Sequence, residues 1–129
     1  MSYDVHITRA EEWAENETAP ITLEEWVAYA KSDRELRVDV IDGRTESPLP
    51  DGGVISFKVK GLVAWLGQAD PHTRKILAWF AWFSGNIDTR APDRATLRKM
   101  YEIAKALQAR VQGDDGEIYD AAGEPHAGP

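Results

Sequence analysis

Few side chains in this chain could do chemistry, and their spacing decides what kind. His6, His72 and His126 are the groups able to exchange a proton near neutral pH or to ligate a transition metal. They fall in an alternating segment, a loop and the tail, so spacing alone builds no metal site and each reads as a surface histidine. A second cluster is "GDDGEIYD", with the carboxylates of Asp114, Asp115, Glu117 and Asp120. Hard cations take such oxygen ligands, but a calcium loop needs acids at alternate positions, then a glycine and a closing glutamate. A turn explains every residue instead: Asp115-Gly116 supplies the turn chemistry and the acids flank it because it is solvated. Glu24 and Glu25 read as first-turn charges that complement a helix dipole. The chain has no cysteine, which removes thiolate ligands, disulfides and a cysteine nucleophile. No glycine-rich loop opens a helix, and no serine sits in a nucleophile elbow or beside a base in sequence. The expectation is a chain without catalytic, cofactor-binding or metal-binding residues: no enzyme, and no cofactor.

Charge narrows the partners. The balance of 22 acidic against 15 basic residues gives a net charge of -7, which would repel nucleic acid rather than neutralise its phosphates. It suits a basic protein partner, by steering encounter and suppressing wrong partners. Acidity for solubility alone is the plainer explanation. The N-terminal "MSYDVHITRAEEW" has neither the basic nor the apolar region of a secretory signal, and no apolar run has the length of a membrane span. A cytoplasmic protein that meets no membrane is expected.

Periodicity supplies the elements that must carry these residues. In residues 2–9, Tyr3, Val5 and Ile7 alternate with Asp4, His6 and Thr8, the pattern of a half-buried strand. After an acidic loop bearing Trp13, "PITLEEWVAYAKSD" signs a helix near 22–32. Thr22 and Glu25 form a capping box there, and Ile21 and Trp26 a hydrophobic staple. "ELRVDVID" reads as a short strand followed by a polar, turn-rich loop, "DGRTESPLPDGG". "VISFKVKGLVAWLG" resumes the period of two, with Gly61 bending or bulging it before Val63 and Trp65. "LAWFAWF" reads as a strand with apolar residues on both faces, turning through "SGN" into a returning strand; a helix capped by Asp70 with Pro71 at its first position is the alternative. "DRATLRKMYEIAKALQAR" gives a second helix near 93–109, with Leu97, Met100, Ala104 and Leu107 on its dry stripe and Arg98, Lys99, Glu102 and Lys105 on its wet side. A hairpin closes the domain at "RVQGDDGEIYD". The sum is an α+β fold, a mostly antiparallel β-sheet with two amphipathic helices packed on one face, spanning 1–120 as a single domain with a disordered tail at 121–129.

At "SYDVHITRAEEW", "PITLEEWVAY" and "ALQARVQGDDGEIYD" the chain resembles a family of small uncharacterised bacterial proteins, and the last motif is similar to the ending of several immunity-type proteins, which neutralise a co-produced toxin by binding it. The resemblance implies no catalytic residue. It also implies a glycine before the closing segment, where this chain has Gln108, which puts the geometry of the helix end in question. Together with the charge, the resemblance points to a non-enzymatic protein-binding module whose partner would be a cognate toxin. The contact rim would be Glu11, Glu12, Trp13, Glu15 and Glu17 with Asp114, Asp115 and Glu117. The other reading is a small-ligand-binding domain or enzyme with a pocket lined by Trp65, Trp79, Trp82 and Phe83, although neighbouring rings on a strand point to opposite faces. Two helices cover one side of a sheet, so one aromatic face of "LAWFAWF" must meet the other side. Cover by the 10–20 loop through Trp13, or a homodimer, is expected over an open patch.

Overall fold

The computed structural model describes residues 3–37, 44–48, 54–58, 61–67 and 76–127. It is an α+β fold: an eight-stranded sheet in the order β10-β9-β8-β1-β7-β6-β5-β2, with two helices on one face. The strands are β1 (Asp4–Thr8), β2 (Leu36–Arg37), β5 (Leu62–Trp65), β6 (Ala78–Phe83), β7 (Asn86–Arg90), β8 (Arg110–Gly113), β9 (Ile118–Tyr119) and β10 (Pro125–His126); β3 (Arg44–Pro48) and β4 (Val54–Lys58) form a separate two-stranded ribbon. Among the described residues every strand pair is antiparallel, and β1 lies between β7 and β8.

Helix α1 (Leu23–Ser32) starts at the expected capping box: Thr22 Oγ1 accepts from the Glu25 N–H at 3.1 Å, and the Glu25 carboxylate accepts from the Thr22 N–H at 3.2 Å. Helix α2 (Arg94–Ala106) starts at Asp93, whose Oδ1 accepts from Thr96 N–H and Oγ1–H. It ends three residues before the expected boundary. Gln108 takes the left-handed position with φ +57°, and the Ala109 N–H closes onto the Ala104 carbonyl at 2.7 Å. That is the place where a glycine would be free of strain.

The period-two pattern of β1 and β6 separates the faces. Val5 and Ile7 of β1, Phe80 of β6, Ile87 of β7 and Val111 of β8 are buried with Trp26 and Ala30 of α1 and with Leu97, Met100 and Ile103 of α2. Each buried Val, Leu, Ile, Met or Phe side chain among them contributes about 1.5–3 kcal/mol when removed from water. Trp65 and Phe80 meet at a tilt of 31°, and Trp26 and Trp82 satisfy their indole N–H groups on the Gly61 and Ile21 carbonyls.

Several expectations give way. The polar stretch read as loop contains β3, because Arg44–Pro48 pairs residue by residue with Val54–Lys58. Gly61, with φ +78°, does more than bend a strand: it separates β4 from β5, and a Cβ there would lie 2.7 Å from that of Trp82. Lys99 is not on the wet side. It is buried against Asp33 and Glu102, each at 2.7 Å, because the end of α1 folds over it. Desolvation works to lower the Lys99 pKa, but the bonds to Asp33 and Glu102 outweigh it and hold the ammonium above its ordinary range. In place of a disordered tail after Asp120, residues 121–127 turn back. Asp120 Oδ1 accepts from the N–H groups of Ala122 and Glu124, Glu124 pairs with Arg94 at 2.6 Å, and Pro125–His126 adds the edge strand β10. The helix alternative at Asp70-Pro71, the strand residues Val38 and Val40, and His72 lie outside the described residues.

Candidate functional site

The face of the sheet opposite the helices divides into two halves. The register sets its membership: Ala81 of β6, Asp88 of β7, His6 of β1 and Gln112 of β8 stand opposite one another in one row. Trp79 and Phe83, two residues either side of Ala81, therefore share the face of His6.

His6 is not a surface histidine. It is 3% exposed, because the loop from Arg9 to Pro20 lies over it and stacks the Trp13 indole on its ring, centroids 3.8 Å apart and planes 12° from parallel. Nδ1 lies 2.6 Å from Asp88 Oδ1 and Nε2 lies 2.8 Å from Asp114 Oδ1. Desolvation works to lower its pKa, but the bonds to Asp88 and then Asp114 prevail and raise it. Asp114 is held below the ordinary carboxylate range: burial acts against this, and the Asp4 N–H and the His6 ring overcome it. With both ring nitrogens committed to carboxylates, the imidazolium has no free lone pair for a metal or for a substrate proton. Its geometry is that of a clamp.

The rest of the loop is fastened by amides. The Gln112 side chain, fully buried, accepts from the Trp13 N–H at 2.6 Å and donates to the Glu11 and Gly116 carbonyls. Asn86 donates to the Trp13 carbonyl at 2.8 Å, and Asn16 donates to the Ser84 carbonyl at 2.7 Å and to Asn86 Oδ1 at 3.0 Å. Gly85 lets the loop close: its φ is +89° and a Cβ would meet Pro20 and Asn16 within 3 Å. Arg9 anchors the loop's start, forking onto Glu25 at 2.9 and 2.6 Å while its Nε donates to the Leu107 carbonyl. The Arg9 guanidinium draws the Glu25 carboxyl down to about 2.

This arrangement sorts the eight rim residues expected from sequence. Glu11, Glu12, Glu15 and Glu17 are exposed on the loop, and Asp115 is exposed at the β8–β9 turn. Trp13 is turned inward onto His6, Asp114 holds His6 and the Asp4 N–H, and Glu117 accepts from the Tyr3 and Tyr119 hydroxyls. Among the described residues no group of three or more His, Cys, Asp or Glu could hold a metal ion, and no helix is long and apolar enough to cross a membrane.

The other half of the face is open. Leu77 is 49%, Trp79 41% and Phe83 69% exposed. The loop covers His6 and not these rings, so the expected cover through Trp13 lies one strand pair away. Trp65 and Trp82 pack on the helix side, so the four aromatic residues do not line one pocket. Phe83 borders the acidic loop directly, since Asn16, flanked by Glu15 and Glu17, bonds to the Ser84 carbonyl. Sequence reasoning missed Gln112, Asn86 and Asp88. The signal for Gln112 and Asp88 was their position in mid-strand, each directly after an apolar residue that faces the core, Val111 and Ile87. No family model, curated protein or solved structure matches the chain.

Proposed function

We propose that the chain is a protein-binding module that docks through the open half of its outer sheet face, in the manner of an immunity protein masking a basic toxin. The observation that carries the reading is the placement of Leu77, Trp79 and Phe83, exposed in a row along β6 and the residue before it, with Phe83 next to a loop whose Glu11, Glu12, Glu15 and Glu17 are exposed. Aromatic anchors inside a charged rim are the anatomy of an interface. The three side chains are the centre of a contact, since a stable interface buries about 800 Å² on each partner. A net charge of -7 selects a partner with a basic rim and an apolar pocket.

The test uses the proteins encoded beside this one as probes, purified and titrated by calorimetry against the full chain. A one-to-one complex is expected, weakened about 100-fold or more by Phe83→Ala, a loss typical of a hot-spot residue. Changing Glu11, Glu15 and Glu17 together to Gln should lower the association rate and flatten its salt dependence. Binding that is indifferent to both sets of changes would overturn the proposal. So would a concentration-dependent dimer abolished by Phe83→Ala in sedimentation, because the face would then be filled by a second copy.

A further inference from the structure

A separate feature lies at the other end of β6, where β7 runs into α2. A cleft of about 290 Å³ opens there between Leu77, Trp79, Thr89, Arg90, Pro92 and Asp93. At the small end of ligand pockets, it admits something the size of a simple metabolite. Three observations set this cleft apart from the rest of the surface. Thr89 is 4% exposed, and its hydroxyl has no hydrogen-bond partner. A buried hydroxyl left unmatched costs about 1–3 kcal/mol. Arg90 and Asp93 carry opposite charges on the cleft wall, yet neither forms an ion pair among the described residues. Asp93 Oδ1 accepts from the Thr96 N–H and hydroxyl, and the side chain is otherwise exposed on the cleft wall. The turn between them is strained, with Ala91 in the left-handed region at φ +45°, pinned by its N–H on the Tyr3 carbonyl at 2.7 Å.

We infer that this cleft binds a small apolar zwitterion, a free α-amino acid with an aromatic or branched side chain. The Arg90 guanidinium takes the carboxylate and Asp93 Oδ2 takes the ammonium. The apolar side chain lies against Trp79 and Leu77. Placing one cation and one anion on the wall favours a ligand carrying both charges: a simple anion would be repelled by Asp93, and a simple cation by Arg90. The site goes beyond the protein-docking reading and shares with it only Trp79 and Leu77, so Phe83→Ala and Arg90→Gln test the two independently.

The experiment follows the Trp79 indole resonance by NMR, assigned with Trp79→Phe, while L-phenylalanine, L-phenylalaninamide and N-acetyl-L-phenylalanine are titrated into the full chain. L-Phenylalanine should give a saturable shift, and each capped form should bind at least about ten-fold more weakly, since each leaves one charge unmatched. Arg90→Gln should erase the preference over the amide. Asp93→Asn, which keeps the helix cap, should erase the preference over the acetyl form. Thr89→Val, a control, should raise the melting temperature and leave binding unchanged, because it removes an unmatched hydroxyl that is closed to the cleft without changing shape. No saturable shift at about 10 mM, a concentration that would reveal even millimolar affinity, overturns the inference. So does equal binding of the amide or the acetyl form, or a preference that survives both charge-removing variants.

Discussion

The two halves of the outer sheet face are built from the same strands and are completed in opposite ways. Around His6, polar groups that belong in water are buried, and each has its partner: two carboxylates for the ring, an indole stacked on its face, and a glutamine whose amide is fully used. Around Phe83, apolar groups that belong in a core are exposed, with none of the described residues laid over them. A buried polar network that is fully satisfied fixes one arrangement of the loop. An exposed aromatic cluster of this kind marks a contact still to be made. The loop thus finishes one half, and in doing so it brings Glu15 and Glu17, which flank Asn16, to the border of the other.

The comparison is broken most severely by removing the clamp. His6→Ala leaves Asp88 and Asp114 facing each other, 26% and 32% exposed, without the cation between them. A loss of about 3 kcal/mol in urea unfolding is expected, with hydrogen exchange at Trp13 rising before that of β1. A loss under about 0.5 kcal/mol, the range of ordinary surface substitutions, would show that the clamp does not hold the loop.

Proton release acts on the same half more gently. The folded pKa of His6 is raised, so its stabilisation is complete below the unfolded value of about 6.5 and is lost as pH rises through the higher folded value. The Trp13 indole resonance should therefore stay native at mildly acid pH and move toward the free-loop position as pH rises through the folded value. Acid acts from the other side. The Glu25 carboxyl is drawn down to about 2, so the anchor it makes with Arg9 is present above the unfolded value and fades as pH falls toward about 2. Loop release on acidification from pH 7 to 6, with the alkaline side intact, would contradict the assignment of an imidazolium.

A control on neither half sharpens the comparison. Gln108→Gly relieves the left-handed strain at the end of α2 and should raise stability by about 1 kcal/mol, leaving the Trp13 and Trp79 resonances unmoved. A destabilised protein would mean that the Gln108 side chain outweighs its backbone strain.

The contrast also shows how far sequence carries. The capping box at Thr22, the cap at Asp93 and the alternation of Val5 and Ile7 are local signals, and each lies within one residue of the observed element. The same alternation put His6 on the outer face correctly, but what covers that face comes from elsewhere in the chain. Asp88 and Asp114 lie 82 and 108 residues from His6, and no local pattern brings them together. Lys99 was misread for the same reason: a helical wheel shows the side away from the sheet, and only the packing of Asp33 and Glu35 turns that side into an interior. The strand β3 is polar along its length and carries no period to read, and β10 exists because Asp120 ties the tail back. Phe83 was legible as one of two possible faces of β6, and which face the helices take is decided by the register with β7.

The most direct test of the claim that the two halves differ is equilibrium urea unfolding of Phe83→Ala, followed by circular dichroism and compared with the unmodified chain. If Phe83 is a surface anchor awaiting a partner, midpoint and slope should both be unchanged, with a stability difference within about 0.5 kcal/mol. A loss of about 3 kcal/mol or more, the cost of deleting a core phenylalanine, would place the ring inside the fold and remove the ground for a docking face.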